Sequence, residues 1–447
     1  MQFRRALQPL LYKIHHANPR LGPVHISKID IADGFYRIRI KAEDALKLGV
    51  LFPAREGEED VIGFPLTLPM GWKESPPNFS AATETVADLA NQVVDHSQHP
   101  HRLDRVSETA PNMQQATPAL HNDGAFTSVP TRQPEQHYHR PLAYWDMCVD
   151  DFIGLAQGNQ WKRRNTKRSL LHQLDLVLRQ LSPEDSPHRQ EPALVSKMIK
   201  GDATWATRKI VLGWLIDTTQ KTINLPSHRY DRLLEILASI HPKQKRVATQ
   251  QWHKLLGELR SMVIAIPGGQ GLFSTMQEAF RHHQGSRIRL TRPVHDFLDD
   301  WRWLAKDLAT RPTRISELIP HDPPHTLGAC DAAKSGMGGV HFFRDSTGNV
   351  VPLLWRAPFT PQVQKALVSY NNPSGTVTNS DLELAGSVAH CDVLAQAADI
   401  RECTIHNFYN NTPTVAWQRK ASTTTVGPAA YLLRLQSLHQ RFHRYIS

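Results

Sequence analysis

The chain has little cysteine and no long apolar run, and each absence narrows its class. The four cysteines, Cys148, Cys330, Cys391 and Cys403, are scattered, and none forms a Cys-x-x-Cys pair. That spacing argues against a zinc ribbon and a disulfide framework, and fits a reducing interior. No apolar stretch approaches the roughly 20 residues that span a bilayer. The N-terminus, MQFRRALQPLLYKIHH, lacks the sustained apolar segment and small-residue cleavage site of a signal peptide. The expectation is an intracellular protein, of cytoplasm or nucleus, with no membrane partner. Internal repeats are lacking too, which excludes a solenoid.

What is present describes a folded chain of several domains. Its 447 residues can bury substantial cores, and 40% hydrophobic with 21% charged residues excludes a disordered protein. The formal charge of +10 points mildly to a polyanionic partner, although a soluble basic surface accounts for it as well.

Alternating residues in VHISKIDI and FYRIRI predict two strands or one bent one, and GVLFPA and DVIGFPLTLPM add strand-like runs. NFSAATETVADLANQVV then reads as a helix with Asn78 as N-cap. Residues 95–140 are rich in His, Gln, Thr, Pro and Asn without periodicity, and read as a surface insertion or disordered linker. Their His96, His99, His101, His137 and His139 come with no matching Cys or carboxylate set, so a polar loop is preferred to a metal site. AYWDMCVDDFIGLA is an apolar run around an acidic pair, and a helix follows over 165–182. RKIVLGWLID and KTINLP read as a strand, a turn at Asp217–Gln220 and a second strand. Helical faces then dominate 227–282, with a further helix around Val294, Phe297, Leu298 and Trp301. A Pro-rich boundary spans 311–325, and 326–447 alternates strands with helices, an α/β signature.

Asp150-Asp151 is the sharpest local feature. Adjacent carboxylates on one strand point to opposite faces, so only a hairpin turn presents both near one site. An ordinary solvated turn accounts for an isolated pair, but a second acidic strand end weighs against that. KIDIADGFYRI places Asp30 after an alternating strand, and LPMGWKESPPNF adds a Gly-containing turn into a helix.

Strand–Asp–turn–aromatic, then LPMGWKESPPNF, then CVDDF resembles, in that order, the polymerase motifs of reverse transcriptases, over most of 24–282. LGWLID resembles the primer-grip hairpin, and LGWLIDT, HKLLGELRSM and DLELAG resemble polyproteins of the retrotransposon type. The resemblance implies an α+β fold. A palm with a ferredoxin-like sheet and helices, plus partial fingers, would occupy 1–225. A helical thumb and connection would take 226–310, a linker 311–325, and an α/β RNase H-like domain 326–447.

It further implies RNA-directed DNA synthesis by two-metal nucleotidyl transfer, with Mg²⁺ or Mn²⁺ held by Asp30, Asp150 and Asp151. Asp33 competes with Asp30, but the family's aromatic five positions on selects Asp30 and makes Phe35 the gate against a ribose 2′-OH. Ile31 would offer its carbonyl to a metal. Met70, Gly71 and Trp72 would lie under the nucleotide, and Cys148, Gly213 and Trp214 at the primer end. The implied partners are a template-primer duplex and deoxynucleoside triphosphates.

Two departures accompany the match. Cys148 stands where the family has Tyr, and Asp30 lies too near the start for full fingers. CDAAKSGMGGV and SDLELAG resemble the RNase H site, with Asp331 and Glu383 as two of its acids. Asn410 stands where a third is expected, and the chain stops before the fourth, so nuclease activity is expected to be lost. The alternative is an inactive retroelement fragment that at most binds nucleic acid.

Overall fold

The computed structural model describes residues 7–53, 57, 59–108, 132–134, 136–178, 184, 191–281, 285–345, 347–424 and 427–447. It mixes helices and sheets in two compact units, Met1–Thr117 with Glu135–Lys221, and Pro118–Pro134 with Thr222–Ser447. Among the described residues no helix is long and apolar enough to cross a membrane.

The first unit is organised on β1 (His25–Asp30) and two later strands. Strands β2 (Val50–Phe52) and β3 (Val61–Gly63) form a separate hairpin whose Leu51, Phe52, Val61 and Ile62 are exposed. Strands β4 (Ala143–Cys148) and β5 (Asp151–Ala156) form a hairpin with β5 in the middle, giving the antiparallel order β1-β5-β4. Register pairs Ile29 with Phe152 and Phe152 with Met147. Paired residues project to one face, so these three make one apolar row. Helices α1 (Leu7–His16), α2 (Ser75–Val93) and α3 (Gln160–Val177) also lie in this unit. The apolar row joins Phe79, Val86, Leu170 and Leu174 of α2 and α3 in one buried cluster. Each such side chain contributes about 1.5–3 kcal/mol through burial.

Gly154 has to be glycine, because a Cβ there would lie 2.6 Å from the ring of Trp145 on β4. The outer edge of β4 is closed by Asn91, whose amide accepts from Trp145 N at 2.8 Å and donates to Trp145 O at 2.7 Å. A side chain thus substitutes for a neighbouring strand.

Four expectations are corrected here. FYRIRI forms no strand, because Asp33 adopts φ 59 and Gly34–Arg37 winds into a 3-10 turn. Ile38 and Ile40 then bond to Leu68 and Leu66 only singly. Helix α2 begins at Ser75, not Asn78, with Pro76 and Pro77 in its first turn, where a missing N–H costs nothing. Helix α3 begins at Gln160, capped by Asn159, whose side chain accepts from Lys162 N at 2.9 Å. RKIVLGWLID splits into β6 (Arg208–Val211) and β7 (Trp214–Asp217) at a two-residue turn, with φ 50 at Leu212 and φ 79 at Gly213.

Within the span 95–140, residues 109–131 and 135 lie outside the described residues. Residues 101–107 do not form a solvated loop: they pack on α3, burying His101, Leu103, Asp104 and Ser107. His101 Nε2 meets Asp175 at 3.0 Å and Arg168 Nε donates to Asp104 at 2.6 Å.

The second unit opens with β8 (Thr222–Asn224) and helices α5 (Ser227–Ala238) and α6 (Thr249–Met262), following the short α4 (Val195–Ile199) of the first unit. Strand β9 (Arg246–Ala248) pairs with β10 (Arg287–Arg289), and α7 (Ser274–Arg281) and α8 (Arg292–Thr310) complete this part. Trp252, Leu255, Leu259, Phe297, Leu298 and Trp301 are buried. The stretch expected as a linker is packed: β11 (Thr313–Arg314) pairs with β8, and Thr313–Glu317 is buried throughout. Charged pairs replace an exposed connector, with Glu317 accepting from Arg444 and Glu402 from Arg314.

Beyond it, β12 (Thr326–Ala333), β13 (Gly336–Arg344), β14 (Val350–Pro358) and β15 (Ile405–Phe408) form a sheet of order β14-β13-β12-β15. Only β12 and β15 are parallel, which demands a crossover, and α9 (Asn379–Ala397) lies in it. Helices α10 (Thr412–Lys420) and α11 (Pro428–His443) follow.

Candidate active site

Register brings Asp30 of β1 opposite Asp151 of β5, and Asp151 opposite Cys148 of β4. These three therefore share one face at the sheet's end, opposite to the apolar row. Asp150 sits beside them in the two-residue turn Val149–Asp150, where Val149 adopts φ 64. A β-branched residue rarely takes that conformation, and such strain of about 1–3 kcal/mol concentrates at functional turns. The turn carbonyl of Asp150 accepts from Ile31 N at 3.1 Å, which ties the backbone after Asp30 to the acidic pair.

Asp30 is 3% exposed, and its Oδ1 accepts no hydrogen bond among the described residues. An unsatisfied buried carboxylate oxygen is costly unless a cation compensates it. Two lysines contribute here. Lys28, two residues earlier on the same face, lies 3.6 Å from Asp30 and 3.0 Å from Asp151. Lys197 of α4 donates to Asp30 Oδ2. Partial burial and then Asp151 hold the Asp150 carboxyl above its ordinary range. The Cys148 thiol is pushed up to about 11 by burial first and by the three neighbouring carboxylates next. It is a neutral group, not a nucleophile.

The donor set suits a hard divalent cation: carboxylate oxygens from two strands, one of them buried and without a hydrogen bond among the described residues. Asp30, Asp150 and Asp151 would hold it, and Lys28 and Lys197 would have to give way.

Phe35 is half-buried, its ring 4.6 Å from that of Phe79 in a tilted contact. Met70 is 67% exposed, Gly71 has φ +92 with open space around it, and Trp72 packs partly on the core. Gly71 is thus the position where the backbone alone faces outward. Gly213 turns the β6–β7 hairpin, and Trp214 is fully buried, so this segment offers its backbone and not the indole face.

Sequence reasoning missed Lys28 and Lys197. The first was legible, since residues i and i+2 of a strand share a face. The second comes from a segment without any motif.

In the second unit, Asp331 of β12, Glu383 of α9 and Asn410 converge. Asn410 Nδ2 donates to Asp331 Oδ1 at 3.5 Å, whereas Asn411 is consumed as the N-cap of α10. Glu383 is buried with its Oε2 unpartnered, and burial, then Asp331, lifts its carboxyl to about 7. Asp331 also borders a cavity of about 740 Å³ lined by Met337, Gly338 and Arg356.

No protein-family model and no curated protein matches the chain. Among solved structures, it is similar to a foamy viral protease-reverse transcriptase in complex with an RNA/DNA hybrid. That match has 13% identity and TM-score 0.41, and covers 95% of this chain and 44% of that one. Two structures of the same foamy viral protein with double-stranded DNA match with 12% identity. Their TM-scores are 0.40 and 0.38, and they cover 93% and 88% of this chain and 55% and 61% of theirs. The chain thus spans about half the length of the structures it matches.

Proposed function

We propose that the first unit is the polymerase part of a retrotransposon-type reverse transcriptase, an RNA-directed DNA polymerase acting on a template-primer duplex. The observation that carries this is the register pair Asp30–Asp151 with Asp150 in the adjoining turn, around a buried carboxylate oxygen that accepts no hydrogen bond among the described residues. Mg²⁺ or Mn²⁺ bound there would activate the primer 3′-OH and neutralise the departing pyrophosphate. The chain's own groups prepare that site. Lys28 and Lys197 hold the carboxylates in place, and the rigid hairpin sets their spacing. The neutral Cys148 thiol flanks the primer side without adding charge. Gly71 lets a nucleotide approach the backbone, and Phe35, braced by Phe79, supplies a fixed wall against a 2′-OH.

The test is primer extension on poly(rA)/oligo(dT) with Mg²⁺, comparing wild type with Asp150→Asn. Extension by wild type alone supports the reading. No extension by either protein, with a folded circular dichroism spectrum in both, sinks it.

A second reading is a catalytically inactive fragment that binds nucleic acid. It is favoured by Asn410, whose neutral amide replaces a charge opposite Asp331 and Glu383. Salt-dependent heteroduplex binding without extension is its expected signature. On either reading, nuclease activity at Asp331 and Glu383 is expected to be absent.

A further inference from the structure

The second unit carries a cluster of nitrogen and oxygen donors well away from Asp331 and Glu383. His439 and His443 lie one turn apart on α11, and Asp392 of α9 faces them. One donor atom from each falls within 4.8 Å of the others. Asp392 follows Glu383 by nine residues, about 13.5 Å along the helix, so the cluster is not the remnant acidic site.

His439 and Asp392 form the core of the cluster. His439 Nε2 is buried and lies 3.3 Å from Asp392 Oδ1. The other ring nitrogen, Nδ1, lies 3.0 Å from the Tyr445 hydroxyl, and fully buried Tyr445 hydrogen-bonds in turn to Cys391. If Tyr445 gives its proton to Cys391, Nδ1 carries the ring proton and donates to Tyr445, leaving the Nε2 lone pair turned to a carboxylate. A cation between these two atoms would satisfy both. Asp392 is oriented from behind, because Gln396 donates to its Oδ2 at 2.7 Å while Oδ1 faces His439. The hydrogen bonds at Nδ1 and Oδ2 are of the kind that orient metal ligands from outside. His443 is the last residue of α11, where the helix dipole also favours positive charge.

We propose that Asp392, His439 and His443 bind one transition-metal dication, of which Zn²⁺ is the type. Two imidazoles and a carboxylate suit Zn²⁺, Ni²⁺ or Cu²⁺, whereas Mg²⁺ prefers all-oxygen sites. The ion staples α9 to the C-terminal turn of α11 and leaves a fourth position to water. This site is independent of the polymerase reading.

The experiment uses the full chain, stripped with chelator and titrated with Co²⁺, with Zn²⁺ as competitor. Wild type is expected to take up Co²⁺ with the visible absorption of a four-coordinate site, displaced by Zn²⁺. The double variant Asp392→Asn/His443→Gln is expected to lose that absorption and bind at least roughly tenfold more weakly. The same spectrum in both proteins would overturn the proposal. Should the variant not fold, diethyl pyrocarbonate modification of wild type, mapped by peptide mass, gives the answer. Zn²⁺ is expected to protect His443, and equal modification with and without Zn²⁺ would also overturn it.

Discussion

Asp30 and Asp151 face one another across β1 and β5, and a single ammonium, Lys28 Nζ, stands 3.6 Å from the first and 3.0 Å from the second. Lys197 approaches Asp30 from the other side. The acidic pair is thus held together in the metal-free protein by cations that a metal would displace.

That competition makes Lys197→Met informative. Without metal, the variant leaves a buried carboxylate with Lys28 alone, at a cost of about 1 kcal/mol after discounting for the exposure of Lys197. Adding Mg²⁺ is then expected to raise the melting temperature of Lys197→Met by more than that of wild type, because one ammonium fewer has to leave. Thermal unfolding with and without Mg²⁺ measures both effects. An Mg²⁺ response no larger in the variant than in wild type would argue against Asp30 as a metal ligand.

The acidic face was legible in sequence because strands have a period of two, and the order of Asp30, LPMGW and Asp150-Asp151 gave it context. What escaped came from two sources. FYRIRI alternates like a strand, but Asp33 tolerates the left-handed region and starts a 3-10 turn instead. Pro-rich 311–325 looked like a connector because its partners are distant: Glu317 meets Arg444, 127 residues on. Lys197 escaped likewise, lying 167 residues from Asp30. Pairings of that range leave no local pattern.

Phe35 tests the proposed discrimination against ribonucleotides. Its ring is fixed by Phe79, so Phe35→Val opens space where the wall stood. The variant is expected to raise ribonucleotide use relative to deoxynucleotide use by roughly tenfold or more, the scale set by small changes in pocket shape. It should also lose about 1 kcal/mol of stability from the lost ring contact. Extension assays with each triphosphate give the ratio. An unchanged ratio with reduced stability would make Phe35 a packing residue only.

Asp146 gives a pH prediction free of any metal. It lies on β4 and is buried, and that burial pushes its carboxyl up to about 6, although Met147 N donates to it at 2.8 Å and Tyr144 at 3.3 Å. A raised carboxyl means the folded state keeps a proton that the unfolded chain has released. Stability is therefore full below the unfolded value of 3.8 and falls as pH climbs through about 6. Asp146→Asn removes that titration while its amide oxygen can still accept from Met147. The variant is expected to match wild type below about pH 4 and to exceed it by about 3 kcal/mol above about pH 7. Urea denaturation across that range decides, and a constant difference at every pH would refute the assignment.

Glu317 is the converse case, a carboxylate whose partners are already supplied. It is fully buried, its Oε1 accepts from Arg444 Nε at 2.9 Å and from Arg314 N at 3.0 Å, and Arg441 lies 3.8 Å from Oε2. Arg441 in turn donates to Asp307 at 2.7 Å, and Arg314 to Glu402 at 2.7 Å. Glu317→Gln keeps the shape and removes the charge, so the guanidiniums lose compensation inside the protein. Breaking one partner of a buried pair costs about 3–5 kcal/mol, more than the intact pair contributes over an apolar replacement. The loss should be shared across the network. Combined with Arg444→Met, it should fall short of the sum of the single effects, because each variant removes the same interaction. Denaturation of the two single variants and the double measures that coupling. Strict additivity would show that Glu317 and Arg444 do not act as a pair.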